Sequence, residues 1–243
     1  MDTEVKANYE ATLAARGFHS DPAQLRAVEA LERCAREWVA YEAHRSNALK
    51  RLFEHPPVPR GVYLWGGVGR GKSFIMDCFF QAVPLQRKTR LHFHEFMREV
   101  QHELSELSGT PDPLDALGAR MAERHDLICF DEFAISDIAD AMILYHLLRA
   151  LFAHHVGFVT TSNFKPDALY PDGLQRERFL PFIALIKQRL EVLELGGDQD
   201  YRLDRLRDQD LPLSRADRGG EGADPAHALA PPGRFHALRP PPA

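Results

Sequence analysis

The sequence predicts an α/β fold: a parallel sheet flanked by helices, preceded by a helical segment and followed by a disordered tail. Three observations predict it. Apolar runs of strand length recur through the middle of the chain, as GVYLWG from 61, LICFDEF from 127, VGFVTTSN from 156 and LEVLELGG from 190. Helical patterns separate these runs, and strands apolar on both faces belong in a parallel sheet covered on both sides. The first run feeds directly into GGVGRGKS, residues 66–73, a glycine loop with another helical pattern behind it.

The elements follow in order. Asp21-Pro22-Ala23-Gln24 starts a helix whose apolar positions Leu25, Val28, Leu31 and Trp38 recur at roughly helical spacing, and His55-Pro56-Pro57-Val58-Pro59 breaks it. After the glycine loop a helix begins at Lys72, RLHFHEF at 90–96 reads as the second strand, and a polar helix runs to the break at Gly109-Thr110-Pro111-Asp112-Pro113. LICFDEF at 127–133 is the third strand, and Ile138, Met142, Leu144 and Leu147 mark the next helix. VGFVTTSN at 156–163 is the fourth strand, a helix runs from Phe179 to Lys187, and LEVLELGG at 190–197 closes the sheet. The expected division is a helical preface over residues 1–54, a core over 55–207 and a tail over 208–243. From Leu211 to Ala243, seven prolines and four glycines in 33 residues leave no apolar periodicity, which predicts disorder.

Composition narrows the function. With 243 residues and 44% hydrophobic content the chain can bury one substantial core. A formal charge of −5 leaves no basic footprint, so a nucleic-acid partner is not favoured. Cys34, Cys78 and Cys129 form no CxxC pair and no zinc spacing, and read as buried, reduced thiols. No apolar run approaches the ~20 residues of a membrane helix, and MDTEVKANYE lacks the pattern of a secretion signal, so a cytoplasmic protein is expected.

The glycine loop carries the chemistry. Gly66, Gly67, Val68, Gly69, Arg70, Gly71, Lys72 and Ser73 satisfy G-x-x-x-x-G-K-[ST] between a strand and a helix, the pattern of a phosphate cradle. Glycines let the backbone amides turn inward, and the positive end of the next helix favours a polyphosphate. Lys72 is expected to reach the β- and γ-phosphates, and the Ser73 hydroxyl to hold Mg²⁺. A nucleoside triphosphate with Mg²⁺ follows. A dinucleotide fold would need a third glycine where Lys72 stands, and the guanine-reading run N-K-x-D is only approximated by Asn163-Phe164-Lys165-Pro166-Asp167.

A phosphate loop alone leaves kinases, GTPases, transporters and ATPases open. The strand Leu127 to Phe130 ends in Asp131 and Glu132, where parallel sheets place their ligands. Asp131 suits the Mg²⁺ shell through water, and Glu132 suits a general base that polarises the attacking water. Asn163, at the end of VGFVTTSN, could orient the same water or touch the γ-phosphate, provided its strand runs between the other two. Arg176 and Arg178 are candidates for a cation that stabilises a neighbour's transferring phosphoryl group, with Arg178 preferred. His92 and His94 share a strand face in this reading, but no third ligand is identifiable by spacing and they are not taken as a metal site. Asp137 and Asp140 are explained as charges at a helix start.

Taken together, LWGGVGRGKSFIMDCFF, RLHFHEFM, LICFDEFAISDIADAMIL, TTSNFKPDALYPDGLQRERFLPFI and DYRL at 200–203 resemble the AFG-one-like ATPases, over roughly residues 8–204. The resemblance implies an AAA+-type P-loop ATPase in which residues 66–73 are Walker A, Asp131 and Glu132 are Walker B, Asn163 is sensor 1 and Arg176 or Arg178 is the finger. It implies ATP and Mg²⁺ as cofactors, and protein partners, among them an FtsZ-like division ring protein for the bacterial branch, with self-assembly left open. Asp21 and Gln24 resemble a family segment D-x-x-Q that could meet adenine; a capping box explains them equally well. The family continues into a helical lid with a sensor 2 arginine, whereas this chain passes into its Pro/Gly-rich tail after about Arg207. Lid closure, water exclusion and ring assembly are therefore expected to be weakened. The alternative is a nucleotide-binding switch or docking module with little hydrolysis.

Overall fold

In a computed structural model the described residues are 4–15, 20–46, 56–135, 137–171 and 176–196. Among the described residues, the helices α1 (Val5–Ala15) and α2 (Pro22–Ser46) precede the first strand, β1 (Gly61–Trp65). Then follow α3 (Lys72–Ala82), β2 (Lys88–His92), α4 (Phe93–Glu106), α5 (Pro113–Arg124) and β3 (Leu127–Asp131). The chain continues through α6 (Ile138–Ala153), β4 (Gly157–Ser162), a 3₁₀ turn at Pro166–Ala168, α7 (Arg176–Arg189) and β5 (Leu190–Glu194).

The five strands are all parallel, in the order β2-β3-β4-β1-β5. The strand that ends in Asn163 therefore lies between the strand of the glycine loop and the strand of the acidic pair, and all three carboxyl ends share one edge. Alternation along the central strands feeds two cores. Tyr63, Ile128, Phe130 and Phe158 pack with α4, α5, α6 and α7. Their neighbours Val62, Leu64, Leu127, Cys129 and Val159 pack on the other face with α1, α2 and α3, around the fully buried Trp38. Both faces are covered, which is why the runs read as continuously apolar.

The structure corrects several local expectations. RLHFHEF is not strand throughout: β2 ends at His92, and Phe93, Phe96, Met97 and Val100 form the buried stripe of α4. The spacing of that stripe is helical, so His94 leaves the strand. The break at 109–113 is also the start of a helix, because Asp112 accepts the Asp115 N–H at 3.2 Å and Pro113 takes the first helical position of α5. The expected strands over 127–133 and 190–197 end earlier, at Asp131 and Glu194. Cys34, Cys78 and Cys129 are buried thiols, as expected. Asp137 caps α6 by accepting the Ala139 N–H at 2.5 Å. No helix among the described residues is long and apolar enough to cross a membrane. The expected disordered tail over 208–243 and the DYRL segment lie outside the described residues.

Candidate nucleotide site

The loop from Gly66 to Gly71 turns between β1 and α3 with Gly69 and Gly71 both at φ 83°. This left-handed backbone suits glycine and lets a short loop wrap an anion. At Gly71 a side chain is excluded twice, since a Cβ there would also stand 2.8 Å from the Gln24 amide nitrogen. Gln24 is 3% exposed; its Nε2 donates to the Arg70 carbonyl at 3.0 Å and its Oε1 accepts from the Tyr9 hydroxyl at 2.7 Å. Asp21 caps α2 by accepting the Ala23 N–H at 2.6 Å. Of the two roles open for this pair, Asp21 shows the cap, while Gln24 spends its amide tying both N-terminal helices to the loop.

Lys72 begins α3, which no side chain caps. Its ammonium donates to the carbonyls of Gly66 and Gly67, both at 2.7 Å, and to Asn163 Oδ1 at 2.9 Å. The lysine of the loop and the amide at the end of β4 are thus in direct contact.

Asp131 is 8% exposed at the end of β3. Arg90, on the adjacent β2, donates from Nε to Asp131 Oδ2 at 2.6 Å and from Nη1 to the Asp77 carboxylate, with the Ser73 carbonyl 3.4 Å from Nη2. One guanidinium therefore joins the loop serine's backbone to the acidic residue of β3. Burial works against the charge of Arg90, but its hydrogen bonds and its proximity to Asp131 and Asp77 outweigh that and raise its pKa above the usual range. The remaining oxygen, Asp131 Oδ1, accepts from the Thr161 hydroxyl at 3.3 Å.

Glu132 departs from the strand at φ 57°, a left-handed conformation uncommon for a residue with a side chain. Its side chain is 74% exposed, with His92 Nδ1 at 4.0 Å from one carboxylate oxygen. Arg176 and Arg178 both lie in the first turn of α7. Arg176 folds inward, donating to the carbonyls of Asp167, Leu169 and Tyr170 at 2.6 to 3.0 Å, whereas Arg178 is exposed. Arg90 and Thr161 are contacts that sequence reasoning missed, as is the Gln24 bond to Arg70; the signal for Arg90 was a basic residue inside a strand beside the acidic one.

These donors fit a triphosphate and a hard cation. Loop amides, a helix start and Lys72 suit phosphate oxygens, and the Ser73 hydroxyl and Asp131 carboxylate suit Mg²⁺. No group of three or more His, Cys, Asp or Glu among the described residues could hold a metal alone.

The profile of the AFG1-like ATPase family matches residues 3–223, nearly the whole chain. The chain belongs to the AFG1-like ATPase family. Among curated relatives, cell division protein ZapE of Escherichia coli K12 is 52% identical over 161 residues, 66% of this chain and 43% of that protein. Lactation elevated protein 1 homolog B of Danio rerio is 40% identical over 158 residues, 60% of this chain and 31% of that protein. The chain thus spans less than half the length of these relatives. In three dimensions the AFG1-like core resembles domain III of the replication initiation protein DnaA from Thermotoga maritima, with TM-score 0.54 at 17% identity over 82% of this chain and 75% of that one. It also resembles the AMPPCP-bound DnaA from Aquifex aeolicus, with TM-score 0.52 at 15% identity over 82% of this chain and 56% of that one. At such identity the likeness establishes the fold, that of a P-loop NTPase.

Proposed function

We propose that the chain binds ATP with Mg²⁺, hydrolyses it, and uses the energy to remodel a protein partner. The observation that carries this reading is convergence at one sheet edge: Lys72 touches Asn163, and Arg90 joins the Ser73 backbone to Asp131. The loop amides and Lys72 would hold the phosphates, with Lys72 exchanging its carbonyl partners for phosphate oxygens. Ser73 and Asp131 would hold the cation, Asp131 through water because Arg90 already occupies one of its oxygens. When bound, Mg²⁺ draws charge from the phosphate oxygens and fixes their geometry.

Glu132 would accept the proton of the attacking water at its carboxylate, and Asn163, released from Lys72, would orient that water. Arg178 is the finger candidate that the geometry favours, since Arg176 is spent inside its own chain and Arg178 is open to a neighbour. A finger of this kind requires a second copy. The name of the ZapE relative supports a partner in cell division; an FtsZ-like ring protein as that partner and a cytoplasmic setting are part of the same proposal. The core that performs the chemistry would be residues 55–207, with 1–54 as its helical brace.

ATP affinity and steady-state phosphate release of Glu132→Gln test the reading. The variant should keep ATP binding and lose about 10²-fold or more in turnover, the general-base scale. Unchanged turnover removes Glu132 as the base; ATP binding without phosphate release in the unsubstituted protein favours a nucleotide switch instead.

A further inference from the structure

Glu132 holds a backbone conformation that its residue type disfavours, and what fixes it is β4. The Glu132 N–H donates to Thr161 Oγ1 at 3.3 Å, and the Thr161 hydroxyl donates to Asp131 Oδ1 at 3.3 Å. One residue on, the Phe133 N–H donates to the Thr161 carbonyl at 2.8 Å, and Ser162 Oγ donates to the Phe133 carbonyl at 2.6 Å while accepting the Phe164 N–H at 3.1 Å. Thr161 and Ser162 are 1% and 0% exposed. The left-handed turn is thus gripped on both sides of Glu132 by two buried residues of the neighbouring strand.

We infer that Thr161 is a positioning residue for hydrolysis, its hydroxyl setting the directions of the Asp131 and Glu132 carboxylates relative to one another; this rests on the hydrolase reading above. A hydroxyl has one proton and two lone pairs. Here the proton goes to the carboxylate of Asp131 and a lone pair receives the amide of Glu132, so a single group fixes a side chain and the next residue's backbone together. Both contacts are longer than the usual hydrogen bond of their kind. They are nonetheless the two that link the cation's ligand to the base, while the shorter Phe133 and Ser162 bonds hold the flank. A left-handed residue persists only where its surroundings over-determine it, and such sites cluster where chemistry needs them. Just past the same strand Asn163 accepts from Lys72, so Thr161 meets Asp131 and the Glu132 N–H, Ser162 meets Phe133, and Asn163 meets the loop lysine.

Thr161→Val keeps the shape and the β-branch while removing the hydroxyl, and Thr161→Ser keeps the hydroxyl alone. Three readouts apply: kcat, ATP Kd, and amide hydrogen exchange by NMR. In Thr161→Val, kcat should fall about tenfold or more, since small misplacements of catalytic groups cost on that scale, with Kd within about twofold of the unsubstituted protein. Exchange at Glu132 should quicken, while Phe133, bonded to a carbonyl that valine also supplies, stays protected and serves as the control. Thr161→Ser should restore kcat and Glu132 protection. The inference is overturned if Thr161→Val retains kcat, if Kd weakens in proportion to the loss of kcat, if serine fails to rescue, or if protection at Glu132 is unchanged. Should the unsubstituted protein bind ATP without hydrolysing it, the hydrolase reading fails by itself and the exchange comparison alone decides whether Thr161 fixes Glu132.

Discussion

At the scale of single residues, ionisation is governed by burial and by close partners. Arg90 is the positive example: two carboxylates and a carbonyl surround a guanidinium that stays charged although little of it meets water. The cysteines show the opposite case. Burial pushes the Cys34 thiol up to about 12 from an ordinary 9.0, and Cys129 is raised for the same reason. A thiol whose folded pKa lies above its unfolded value contributes fully below the unfolded pKa and loses its contribution as pH rises through the folded one. Urea unfolding followed from pH 8 upward should therefore show stability falling above about pH 9, each of the two thiols removing about 1.4 kcal/mol per pH unit. A flat profile between pH 9 and 11 would contradict that burial. At neutral pH the same thiols should resist alkylation in the folded chain and react in urea.

At the scale of elements, the N-terminal helices brace the loop. Tyr9 of α1, Gln24 of α2 and the Arg70 carbonyl form one hydrogen-bonded line that ends beside the left-handed Gly71. Tyr9→Phe removes the donor that fixes Gln24 and should cost about 1 kcal/mol in chemical denaturation, the scale of one net hydrogen bond. It should also weaken ATP binding, read by titration calorimetry, because the loop loses the restraint on its last turn; an unchanged affinity would limit the line to a stabilising role. Much of this arrangement was legible from sequence, and the rest was hidden for identifiable reasons. The P-loop needed only a glycine pattern, and β3 and β4 needed only runs of apolar residues. The turn from β2 into α4 was misread because Phe93 continues an apolar alternation while Phe96, Met97 and Val100 start a helical one, and the two periods agree over so short a stretch. The α5 start was hidden because Pro and Asp mark both breaks and helix starts. The Gln24 line and the grip of Thr161 join residues far apart in the chain, so no spacing could announce them.

At the scale of the whole molecule, Arg178 sits in the first turn of α7, exposed, outside the contacts that join Lys72, Asn163, Arg90 and Asp131. If it serves a neighbour's site, activity belongs to the assembly. Specific activity should then rise with protein concentration, and mixing Arg178→Ala with Glu132→Gln protein should recover part of the lost turnover, since some mixed pairs combine an intact base with an intact arginine. Mixtures no more active than their separate components would place the arginine outside the reaction.

The contact between Lys72 and Asn163 would make the proposed capture of a polyphosphate an exchange rather than an addition. Before the anion arrives, the ammonium already has three oxygen partners supplied by its own chain, so the free energy of capture is a difference between two well-solvated states of one cation. In the proposed site, arrival of the anion would set the Asn163 carboxamide loose at the same moment. The group proposed to sense the terminal phosphate would thus become free only when that phosphate is in place, a simple form of sequencing built from one lysine.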